Sequence, residues 1–306
     1  MPTTPTVSSL PSPTGSSPRS ASRTRGRVRR RRLAAVTGAL CAVLAAATVA
    51  PGAARADAAD PDGVVTPLFA RGEAYLGATI PAYEGPETPG PRPSANPLAS
   101  VEGVDVSSHQ GNVDWPALWA DGNRFAYVKA TEGTYYRNEY FAQQYNGSYD
   151  VGMIRGAYHF GVPDSSSGVD QANFFVDNGG GWSADGKTLP GVLDIEYNPY
   201  GERCYGLSQA EMVAWIKDFT RTYKSRTGRD AVIYTTTDWW TQCTGNSPEF
   251  GSTNPLWIAR WAASPGTLPA GWSFHTFWQY TSSGPIVSDH DRFNGSMDRL
   301  RVLATG

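Results

Sequence analysis

Cysteine is scarce in this chain, three among 306 residues, and histidine almost as scarce at four. Cys41 lies in an apolar amino-terminal run and leaves Cys204 and Cys243 as the remaining pair. Two cysteines are too few for a structural metal site. His109, His159, His275 and His290 fall into no His-Glu-x-x-His or other compact ligand spacing, so zinc-centred hydrolysis is disfavoured and neither metal nor cofactor is expected. No Gly-x-Ser-x-Gly turn is present, which argues against a serine nucleophile. No internal repeat is visible either, which argues against a solenoid.

Acidic residues are missing from the first 56 positions, where nine of the 26 basic residues lie. Residues 1–32 are rich in Pro, Ser and Arg, residues 33–50 are apolar and mostly Ala, and Ala54-Arg55-Ala56 follows. This is the layout of a secretory signal, with residues 1–56 as the leader and cleavage expected before Asp57. The apolar run is about long enough, at ~18 residues, to span a membrane. Its alanine content and the small-residue site favour cleavage instead, so no stable membrane anchor is expected after export. The arginines at 29–32 leave a twin-arginine route open beside the general one. Without the leader the chain keeps 17 basic against 28 acidic residues, a net −11 rather than the overall −2. An acidic secreted protein has no basic face for phosphates, so nucleic acid is excluded as a partner.

Outside the cell, an isolated cysteine pair forms a disulfide. Joining Cys204 to Cys243 closes a loop of ~40 residues and contributes about 4 kcal/mol in the chain-entropy picture. Residues 57–100 are rich in Pro, Gly and Ala and read as a linker or loose arm, too poor in apolar surface to offset the entropy of ordering. Their apolar residues concentrate at 64–69 and 74–80, the stretches able to dock.

Residues 101–306 suffice for one domain with a sizeable core. Strand patterns at 102–107, 125–131, 154–160, 231–235, 255–259 and 276–280 alternate at first with helical stretches at 115–119, 138–149, 169–176 and 208–227. Asp114 with Pro116 opens the first helix, and Ser208 with Glu211 forms a capping box before the stripe Met212, Trp215, Phe219 and Tyr223. A last strand is expected near 285–288 and a closing helix at 297–303. Alternation that thins into strand and loop indicates a parallel α/β barrel of about eight strands. Asp105, Lys129, Tyr158, Glu196, Tyr234 and Gln279 recur at the late ends of strands, the rim where barrel active sites are built.

Within that frame, LDIE at 193–196 stands out. On a strand, Asp194 and Glu196 share one face while Ile195 packs behind. Their repulsion and burial raise one pKa and give a proton donor beside a persistent anion, as glycosidic cleavage requires. Taken alone, so short a motif reads more readily as the solvated end of a strand.

The ordered motifs GVDVSSHQG at 103–111, AYVKATEG at 126–133, RGAYHF at 155–160 and LDIE at 193–196 resemble glycoside hydrolase family 25, the Chalaropsis-type lysozymes, and within it the secreted Streptomyces muramidases. WQY at 278–280 and DHDRF at 289–293 extend the resemblance across residues 101–306. It implies an irregular TIM-like (β/α)5(β)3 barrel that cleaves the β-1,4 bond between N-acetylmuramic acid and N-acetylglucosamine in peptidoglycan, acting as a monomer. By motif, Glu196 is the general acid, and Asp194 stabilises the oxocarbenium-like transition state or orients the 2-acetamido group. Asp105 and Asp289 complete the acidic cluster, and Tyr158 and Tyr234 line the sugar site, to which Lys129 and Gln279 are added from their places at strand ends. The resemblance also agrees with the Cys204–Cys243 disulfide. One departure is Asp291, an acid where relatives often carry Asn. A binding module on the same barrel, without catalysis, is the alternative; the intact acidic set argues against it.

Overall fold

The computed structural model describes residues 66–87, 100–287 and 289–306, all within one compact unit, Gly52–Gly306. The leader, its cleavage point and most of the Pro-rich stretch before residue 100 lie outside the described residues.

Among the described residues, nine strands form one sheet: β1 (Val101–Val106), β2 (Phe125–Glu132), β3 (Tyr136–Arg137), β4 (Ile154–Phe160), β5 (Val192–Asp194), β6 (Val232–Thr235), β7 (Leu256–Ala259), β8 (Phe277–Thr281) and β9 (His290–Phe293). Because β1 pairs with both β2 and β9, the sheet closes into an eight-stranded barrel, and β3 is a short antiparallel addition to β2. Pairing is parallel from β1 through β8, whereas β9 runs antiparallel to both of its neighbours. A four-residue helix α1 (Ile80–Tyr83) precedes the barrel. The first five barrel strands are each followed by a helix: α2 (Trp115–Ala120), α3 (Phe141–Asp150), α4 (Gly168–Phe175), α5 (Gln209–Thr227) and α6 (Thr237–Thr244). Three strands without helices follow, then the closing helix α7 (Met297–Thr305). This is the irregular (β/α)5(β)3 barrel.

Local signals explain most of these elements. The Asp114 carboxylate accepts from the Ala117 N–H at 3.1 Å with Pro116 in the first turn of α2. The Ser208–Glu211 box caps α5, and Gly228 ends it in the left-handed region at φ 75°. Met212, Trp215, Phe219 and Tyr223 bury the stripe of α5 against α4 and the outer faces of the barrel strands. Inside the barrel, Phe125, Tyr127, Tyr158, Tyr234, Trp257, Phe277 and Phe293 form a mostly aromatic filling. A Cβ on Gly156 would lie 2.2 Å from the Tyr127 ring, so that filling needs glycine there.

Two expectations are corrected, and one helix is added to those expected. The last strand is His290–Phe293 rather than 285–288. Its sequence carries charge on both faces, because Asp291 points inward to Trp257 while Arg292 points outward to pair with Glu102 at 2.7 Å. Such a strand shows no apolar alternation. His290, at the start of this strand, is buried. The helix α6 carries little propensity in its Thr and Trp residues and depends on a local cap, the Thr236 hydroxyl accepting from the Trp239 N–H at 3.0 Å. Finally, β5 ends at Asp194, so Glu196 lies beyond it. The Ile195 N–H still donates to the Tyr234 carbonyl at 3.0 Å, which carries the alternation two residues past the strand.

The arm before the barrel is docked over residues 66–87. Ala74, Leu76, Thr79 and Ile80 are buried, and Leu76 and Ile80 join the interior cluster. In the 64–69 stretch, by contrast, Leu68 stays exposed.

Candidate active site

The carboxyl ends of parallel barrel strands converge on one mouth. Register sets Lys129 beside Tyr158, Asp194 beside Tyr234 and Gln279 beside Asp291. Asp105, Lys129, Tyr158, Asp194, Glu196, Tyr234, Gln279 and Asp289 are all buried, so the residues singled out from sequence come together at this mouth.

Glu196 is fully buried, and each of its oxygens accepts a hydrogen bond at 2.6 Å, Oε1 from the Gly77 N–H and Oε2 from the Thr79 hydroxyl. Burial pushes its carboxyl up to about 7, opposed by those donors. Asp194 is equally buried and hydrogen-bonds to the Glu196 carboxyl. Burial first, then the Glu196 charge, hold its carboxyl well above the usual range, with Lys129 acting in the opposite sense. The pair therefore holds a proton more readily than two separate carboxylates would.

A second acidic group faces it. Asp105 accepts from Gln279 Nε2 at 2.8 Å, and Asp291 accepts from Trp257 Nε1 at 3.1 Å. Burial, then the charges of Asp289 and Asp291, raise the Asp105 carboxyl well above its ordinary value. Asp291 is raised likewise, by burial and by the Asp289 charge. Gln279 organises this side, because its Oε1 also accepts from the Tyr234 hydroxyl at 2.7 Å and from Trp261 Nε1 at 3.0 Å.

Lys129 pairs with Glu132 at 2.7 Å, both without solvent access. Glu132 also accepts from the Tyr135 hydroxyl at 2.6 Å and from the Tyr200 hydroxyl. Glu132 and Trp261 were not singled out in the sequence. Both sit at strand ends on the same rim, one at the last position of β2 and one two residues past β7. That shared position was the signal available. His159 lies behind the rim, its Nε2 toward Gln171 Oε1 at 3.0 Å and its Nδ1 toward the Thr131 hydroxyl at 2.8 Å. Burial lowers it to about 4, so it is neutral and structural. Cys204 and Cys243 form the expected disulfide.

A buried carboxyl that titrates near neutrality beside a second carboxyl, in a mouth lined by Tyr and Trp, suits proton donation to a glycosidic oxygen. Comparison with known proteins agrees. The profile of the glycosyl hydrolases family 25 matches residues 104–289. The chain is 46% identical to Lysozyme M1 of Streptomyces globisporus over 90% of its own length and 95% of that protein. It is 47% identical to an N,O-diacetylmuramidase of Chalaropsis sp, over 68% of this chain and all of that one. The solved muramidase of Acremonium alcalophilum is 58% identical and superposes with a TM-score of 0.67 over 67% of this chain and 99% of its own. Residues 101–306 are two thirds of the chain, so the barrel alone accounts for the extent of the last two matches, whereas the first must reach into the segment before it.

Proposed function

This chain belongs to glycosyl hydrolases family 25, and from that premise we propose that it is a secreted lysozyme cutting the β-1,4 bond between N-acetylmuramic acid and N-acetylglucosamine in peptidoglycan. The observation that carries the residue assignment is the fully buried Asp194–Glu196 pair at the barrel mouth, with Glu196 raised to about 7. In the proposed reaction Glu196, protonated, gives its proton to the glycosidic oxygen as the C–O bond breaks. Asp194, ionised beside Lys129, stabilises the oxocarbenium-like charge or orients the 2-acetamido group to hold it. Water then adds at the anomeric carbon and returns a proton to Glu196. Tyr158 and Tyr234 offer ring faces to the sugar C–H groups. Asp105, Asp289 and Gln279 fix the polar side of the mouth, and Lys129 favours the anion of Asp194.

Mass spectrometry of fragments from purified peptidoglycan, reduced with borohydride, tests the bond. Reduced muramic acid at the new ends is the expected result, and reduced glucosamine ends would overturn it. In the barrel freed of the segment before residue 100, Glu196→Gln should slow release by ~10²-fold or more while the protein still sediments with the wall. Wall binding without fragments from the parent protein would support the binding-module reading instead.

A further inference from the structure

We propose that residues 66–87 are an inhibitory segment that fills the sugar groove, so that the exported chain stays latent until this arm leaves the barrel. The inference rests on reading Glu196 as the proton donor of that groove.

The arm touches the rim along its length. The Gly72 N–H donates to Glu132 Oε1 at 2.9 Å, and Lys129 donates to the carbonyls of Gly72 and Ala74. His109 Nε2 donates to the Glu73 carbonyl at 2.8 Å. Leu76 has no exposed surface and packs among the aromatic residues of the mouth, Tyr158 and Tyr234 among them. At the centre Gly77 and Thr79 occupy both oxygens of Glu196. Farther on, the Tyr197 hydroxyl lies 2.8 Å from Glu84, and Glu87 accepts from the Ser282 hydroxyl at 3.3 Å.

No sugar can reach Glu196 past these contacts. Gly77 sits in the left-handed region at φ 77°, and a Cβ there would lie 2.7 Å from Trp261 and 2.9 Å from Gln279. The arm's closest approach to the rim is therefore made with backbone alone, at a residue type that permits it. The occupation is also wrong for catalysis. Two donors on Glu196 favour its anion, whereas a general acid must hold a proton.

The Chalaropsis enzyme and the Acremonium muramidase are matched over about the extent of the barrel, whereas the longer Streptomyces relative aligns into the region before it. Residues 88–99 join arm and barrel. A short tether holds the arm at an effective concentration of ~mM, so even a weakly bound segment stays in place. Hydrolysis of one peptide bond in this joint, by an external endopeptidase with water as co-reactant, turns docking into a bimolecular equilibrium. At micromolar protein the arm then leaves.

The test uses the full chain with a specific protease sequence inserted in residues 88–99. Wall hydrolysis should rise by ~10²-fold after the cut and gel filtration. A synthetic peptide of residues 66–87 should restore inhibition, and the same peptide carrying Gly77→Val should not. An uncut Leu76→Asp chain should be active, because a charge cannot enter the aromatic mouth. Equal activity of intact and cut chains, with no effect of the peptide, would overturn the proposal. If the cut barrel releases no fragments, the lysozyme reading fails. Groove occlusion is then still decided by sedimentation with the wall: cut barrel bound and intact chain unbound supports it, and equal binding refutes it.

Discussion

Glu196 meets opposing demands in the docked chain, since burial favours its neutral form while the Gly77 and Thr79 donors favour its anion. Burial dominates and lifts the carboxyl from 4.5 to about 7. The sign for stability follows. A folded-state pKa above the unfolded one gives a contribution fully present below pH 4.5 and lost as pH rises through about 7. Glu196→Gln removes this titration. Thermal melts of the intact chains should coincide near pH ~4 and favour the variant by up to about 3 kcal/mol near pH ~8; parallel pH profiles would contradict the shift. Asp291 offers a second residue-scale test. Asn in its place keeps an acceptor for Trp257 but removes a charge beside Asp105, so the Asp105 carboxyl should titrate lower in carbon-13 NMR spectra. Among these residues, Asp194, Glu196 and Asp105 were legible through the ordered motifs they stand in, since an acid near a strand end taken alone reads as a solvated one. Glu132 and Trp261 were not, because only closure of the barrel brings the ends of β2 and β7 to the same rim.

At the scale of elements, α5 was the most legible, since its capping box, apolar stripe and terminal glycine agree with one another. The strand β9 was the least, because its inward and outward faces are both polar and its partners lie about 190 residues earlier in β1. The disulfide joins the loop after β5 to α6, across a separation of 39 residues. Reduction should lower stability by about 4 kcal/mol, measured by denaturant unfolding with and without reductant. Cys204 lies eight residues past Glu196, in the loop that carries Tyr200 to the rim, but neither cysteine belongs to the acidic cluster. The reduced protein should therefore keep its cleavage pattern under conditions where it remains folded.

For the whole molecule, charge and the arm matter most. Residues 101–306 alone carry 15 basic against 22 acidic residues, a net −7. A negative enzyme on an anionic wall is repelled at low salt, and ~0.1 M salt shrinks the Debye length to ~10 Å. The kcat/KM of the arm-free enzyme on whole walls should therefore rise with ionic strength over this range, and a steady fall would point to a local basic capture site. By itself, the sequence determined the alternation of strands and helices, the barrel class, the cysteine pair and the acids at the mouth. The first three rest on short-range signals, periodicity, caps and an isolated cysteine pair, and the acids on the ordered motifs that carry them. Only the tertiary structure decided that β9 closes the barrel antiparallel and that a Pro- and Gly-rich arm occupies the mouth. Neither leaves a local pattern, because the stabilising contacts join residues more than a hundred positions apart, Gly77 and Thr79 to Glu196 and Glu102 to Arg292.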